Sequence, residues 1–156
     1  MRSSGVGVVV PVLGPYQTGA SFYLSSILYS VPLVCFTGAV IADVSYVRDS
    51  DIQWSNFSSW LLAFGIIFLG FAIVVSTIRF LSSLTRKRRL ADWLFGLTIL
   101  SAAVAGLFDN FVHSHDGWTS VWPTGLMLSA MAALFIFIAM LLKVALLSNT
   151  YLVEAR

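Results

Sequence analysis

The chain has 156 residues, of which 58% are hydrophobic and 10% charged, whereas a soluble domain is roughly 45 to 50% apolar and about 25% charged. So few charges cannot cover that much apolar side chain with a water-facing surface, which excludes an ordinary soluble domain and leaves one membrane-embedded unit. The net charge of +2 with a single basic run excludes a nucleic-acid partner, and the lone Cys35 excludes both an internal disulfide and a thiolate zinc cluster.

Residues 1–20 carry Arg2 and the apolar VGVVVPVLG, interrupted by Pro11 and glycines and without a clean small-residue cleavage pattern. They read as an irregular tail lying on the membrane surface or on a neighbouring protein, not as a signal peptide. A helix needs about 20 predominantly apolar residues to cross the hydrocarbon core. Four stretches qualify, roughly Tyr23 to Val44, Ser58 to Phe80, Leu90 to Val112 and Val121 to Leu142. The fold class is therefore all-α, a four-helix transmembrane bundle over residues 21–148, with 149–156 as a short C-terminal tail. The connections YVRDSDIQWSN, LSSLTRKRR and HSHDGWTS are short and polar, which suits antiparallel neighbours.

Along the first span, Pro32 is expected to introduce a kink, and Gly38 with Ala42 offers a small-residue contact face. Ser101 and Ala105 play the same part on the third span and lead at the same spacing into Asp109 and His113, while Gly125, Ser129 and Ala133 form a stripe on the fourth. Arg79, Arg86, Lys87, Arg88 and Arg89 flank the second connection, and Lys143 and Arg156 follow the last span. Because positive residues favour the cytoplasmic side, both termini are expected in the cytoplasm. The run Arg86, Lys87, Arg88 and Arg89 is also positioned to hold anionic lipid or an acidic partner. Trp54, Trp60, Trp118 and Trp122 then lie at the outer interface and Trp93 at the inner one, as aromatic belts do.

The chemistry-bearing residues gather at the outer face. Asp109 and His113, at i and i+4, should meet on the last turn of the third span, and Asp43 near the end of the first could face Asp109 across the bundle. A cap at the water boundary, where charge is cheap, is the expected role of Asp109 and His113, with a proton relay or a polar bundle contact as the alternative. His113, His115 and Asp116 could offer metal ligands with Asp43, Asp49 or Asp51, but their spacing at a helix end is a poor metal signature. Both histidines of the chain lie at 113 and 115, so they cannot sandwich a haem from two helices, although single ligation by His113, with Met127 opposite, is open. Lys143 should snorkel to the inner surface. No phosphate-binding glycine loop and no nucleophile beside a base is present, so an enzyme is not expected.

The segments FTGAVIADVSY, WSNFSSWLLAFGII and NFVHSHDGWTSVWPTGLMLS resemble successive blocks of a bacterial family of predicted four-helix membrane proteins, the domain-of-unknown-function 2231 family. The likeness covers roughly Ser21 to Leu147 and is most specific in HSHDGWTSVWPTG, through His113, Asp116, Gly117, Trp118, Pro123, Thr124 and Gly125. It implies a bacterial inner-membrane location and, because similar proteins are joined to Rieske domains or accompany membrane dehydrogenases, a redox neighbourhood. Where similar members often carry a His-Pro repeat, this chain reads SFYLSSILYSVP, with Tyr23 and Ser25 in place of His or Pro.

Three readings follow. The leading one is a non-catalytic accessory subunit packed against lipid and other integral membrane subunits in a complex of respiratory or photosynthetic electron transfer, with no cofactor of its own. The second is a small redox protein holding haem or quinone near the outer interface through Asp43, Asp109 and His113. The third is a proton or small-solute pathway along Thr37, Asp43, Thr98, Ser101, Asp109 and Ser129.

Overall fold

The structure is a computed structural model, and it describes residues 19–82, 90–115 and 121–154. Four helices follow one another: α1 (Gly19–Asp49), α2 (Ile52–Ser82), α3 (Leu90–His113) and α4 (Leu126–Glu154). No strand occurs among the described residues, and all four helices contain a stretch long and apolar enough to cross a membrane. Each packs on its neighbour in sequence, and α4 returns to α1, which closes an up-down-up-down ring. The basic run Arg86 to Arg89, together with Asp116 and Trp118, lies outside the described residues.

The helices outrun the expected spans. At 31 residues each, α1 and α2 are about 46 Å long at 1.5 Å per residue, against a hydrocarbon core of about 30 Å. Most of YVRDSDIQWSN is thus helical, and only Ser50 and Asp51 separate the two helices. Ser50 takes a positive φ of 56° and its N–H donates to the Tyr46 carbonyl at 2.8 Å, the left-handed residue that ends many helices. Asp51 Oδ1 accepts the N–H of Gln53 at 2.9 Å, which caps the start of α2. At the other boundary, α4 begins at Leu126 and not at Val121, because Trp122 is extended (φ −115°, ψ 132°) where the following Pro123 disfavours helical backbone. The fourth helix continues to Glu154, through most of the segment expected to be a tail.

A buried seam repeats at alternating intervals of three and four, with Cys35, Ala42 and Ala105 buried beside it. It comprises Tyr29, Pro32, Phe36, Ala39, Asp43 and Tyr46 on α1, and Ser55, Ser58, Leu62, Gly65, Leu69 and Ala72 on α2. Ile99, Ala102, Gly106, Asp109 and His113 continue the pattern on α3, as do Ser129, Ala132, Ile136 and Ala139 on α4, with Gly125 one step before it. A seven-residue seam of this kind belongs to left-handed, coiled-coil-like packing. The opposite face of α2, from Phe57 through Trp60, Phe64, Ile67, Phe71, Val74 and Ile78 to Leu81, is large, apolar and exposed, as a lipid-facing stripe must be.

Phe36 occupies the middle of the bundle and is fully buried. A Cβ added at Gly65 would stand 2.5 Å from its ring, and one at Gly106 would stand 3.0 Å away. Two glycines therefore cradle one aromatic wedge, the close backbone approach that membrane helices use in place of a hydrophobic driving force. The helix assignment of α1 is unbroken through Pro32, whose ring is buried; the proline forgoes one backbone bond, that to the Leu28 carbonyl.

Candidate functional site

The seam carries three ionisable side chains to one end of the bundle. Asp43 follows Ala39 on α1, and Asp109 and His113 occupy consecutive seam positions on α3. His113 Nε2 and Asp43 Oδ1 share a hydrogen bond of 2.9 Å, across the diagonal of the ring, from α3 to α1. His113 Nδ1–H donates to the Asp109 carbonyl oxygen at 3.1 Å. Asp109 Oδ1 is also 3.0 Å from Nδ1, but the ring N–H is directed at the carbonyl and the carboxyl oxygen makes no hydrogen bond there. None of the three side chains is accessible to solvent; the 7% exposure of His113 is backbone at the helix end. The segment Val121–Gly125, with Val121 and Gly125 buried, packs against α1 and α3 at this end.

The expected meeting of Asp109 with His113, and of Asp43 with α3, is thus observed, with the imidazole as the bridge between the two acids. The wider outer cluster is not assembled. His115 is exposed and its Nδ1 bonds the Phe111 carbonyl at 3.0 Å, while Asp49 and Asp51 are exposed at the turn. Among the described residues no group of His, Cys, Asp or Glu has a metal-binding arrangement. Met127 is 62% exposed and faces outward. An axial haem bond would require an imidazole nitrogen that is now engaged by Asp43 or by the Asp109 carbonyl. The track proposed for solute passage is also broken: Thr37 faces outward, the Thr98 hydroxyl bonds Leu94 and Phe95 of its own helix, and the Ser129 hydroxyl bonds the Leu126 carbonyl.

At the opposite end, a crevice of about 690 Å³ opens beside α2 and α3, with walls from Tyr29, Ser76, Phe80, Trp93, Phe95 and Lys143. Tyr29 Oη is hydrogen-bonded to Ser76 Oγ, its ring meets Phe95 edge-on, and the Lys143 ammonium lies 4.5 Å above that ring. Lys143 is therefore half-buried over an aromatic face and not simply extended to the surface. Sequence reasoning passed over this crevice; the signal for it was a tyrosine, a serine and a lysine at one level of the first, second and fourth apolar segments. Fourteen residues of α1, about 21 Å of helix, separate Tyr29 from Asp43.

Neither the curated proteins nor the solved structures contain a match to this chain. Among protein families, residues 25–146 match the one described as "Predicted membrane protein (DUF2231)". That stretch begins just before the seam of α1, contains Asp43, Asp109 and His113, and ends on α4 beyond Lys143. With four apolar spans and a match over most of its length, the chain belongs to the DUF2231 family of predicted membrane proteins.

Proposed function

We propose that the protein is a non-catalytic subunit of a larger bacterial inner-membrane complex of electron transfer, held with both termini in the cytoplasm. One observation carries this reading: the ionisable groups buried inside the bundle, Asp43, Asp109 and His113, are turned on one another, while the outward faces of all four helices carry large apolar side chains. A bundle so built presents helix surface and keeps its polar atoms inside, as a packing subunit does. The orientation rests on basic residues concentrated at 79–89 and after the last span.

Capture of the protein from its native membrane in mild detergent tests the assignment. Partner subunits recovered at fixed stoichiometry are expected; a monodisperse solitary chain would contradict it. For the orientation, a tag placed in the connection between α2 and α3 should react only after the cytoplasmic side is opened, and labelling from outside would reverse the topology.

A further inference from the structure

The hydrogen bonds around His113 leave a remainder. With Nδ1–H given to the Asp109 carbonyl and one proton shared between Nε2 and Asp43 Oδ1, the His113 and Asp43 pair is neutral as a whole whichever of the two atoms carries that proton. The Asp109 carboxyl takes neither bond, and both of its oxygens are buried without a partner, as is Asp43 Oδ2. An ionised Asp109 would add a negative charge to a pair that is already neutral. Among the described residues the surrounding elements bring no cation to offset it. From α1 come Asp43 and the Tyr46 phenol one turn on, from α2 the Ser55 and Ser58 hydroxyls, and from α4 the Ser129 hydroxyl, while Arg48, Asp49, Asp51 and His115 are exposed. A neutral carboxyl short of partners costs far less to bury than an anion short of partners.

We propose that Asp109 is a buried proton-binding site: at rest it is held as the neutral acid beside the Asp43 and His113 pair. Loading transfers a proton from hydronium to an Asp109 oxygen and leaves water; release reverses it. The bound ligand is the proton itself, and the crevice beside α2 and α3 is not lined by Asp43, Asp109 or His113. This role goes beyond the packing reading and stands whether or not a larger complex is found.

Infrared difference spectroscopy of the full chain in detergent, near neutral pH in H₂O and D₂O, tests it. The wild type should show the carbonyl band of a protonated carboxyl, shifted by deuterium. That band should vanish in Asp109→Asn and persist in Asp92→Asn, where the half-buried acid at the other end is removed. Because an amide is the nearest neutral replacement for a carboxylic acid, Asp109→Asn should also unfold at the same denaturant concentration as wild type. Absence of the band from wild type overturns the proposal, as does its survival in Asp109→Asn or the failure of that variant to fold.

Discussion

Removing the His113 ring leaves Asp43 buried without its hydrogen-bond partner on α3, so His113→Ala acts through what it strands more than through the contact it deletes. Breaking one side of a buried charged cluster typically costs about 3 to 5 kcal/mol, and that loss is expected for His113→Ala in reversible unfolding of the solubilised protein. His115→Ala should change stability by less than about 0.5 kcal/mol, since an exposed side chain off the core carries little. Equal effects for the two histidines would show that the buried cluster does not hold α1 to α3. Both of its acids were legible in the sequence because ionisable residues inside apolar spans are few and expensive. That the imidazole stands between them was not legible, because the i, i+4 spacing fixes which residues are neighbours on α3 and leaves open which ring nitrogen meets the other helix.

At the level of the helices, number and order were readable from apolar run length, while the inward faces were not. Hydropathy separates core from solvent, but here Phe64 faces out and Phe36 faces in, and lipid is as apolar as the core. Size carries the distinction instead: the seam is rich in Ala, Gly and Ser, and the outward stripe of α2 in Phe, Trp and Ile. The pairs Gly38 with Ala42 and Ser101 with Ala105 pointed toward this, yet the closest approach lies at Gly65 and Gly106 against Phe36, two glycines that spacing alone did not single out. Apolar run length marks the spans and leaves the helix ends open, because single residues decide those, as at the Asp51 cap and at Trp122 before Pro123. Gly65→Ala should destabilise the bundle by about 1 to 3 kcal/mol through overpacking. Gly70→Ala, with no atom within 4 Å of the added methyl, should be neutral or slightly stabilising in the same unfolding assay. The reverse order would mean that Phe36 is not the wedge between α2 and α3.

For the molecule as a whole, two polar groupings stand about 21 Å apart along α1: the Asp43, His113 and Asp109 cluster at one end, and Tyr29, Ser76 and Lys143 around the crevice at the other. Between them lie the buried apolar side chains of Phe36, Leu62, Leu69 and Ile136. Whether the protein is a packing subunit whose His113 is engaged inside the bundle is read from a reduced-minus-oxidised absorption spectrum of the isolated chain beside that of the particle purified from native membrane. Any haem bands are expected to belong to partner subunits and to be absent from the isolated chain. Haem bands that stay with the isolated chain and disappear in His113→Ala would contradict the packing reading, and would make the Asp43 and Asp109 cluster a cofactor site.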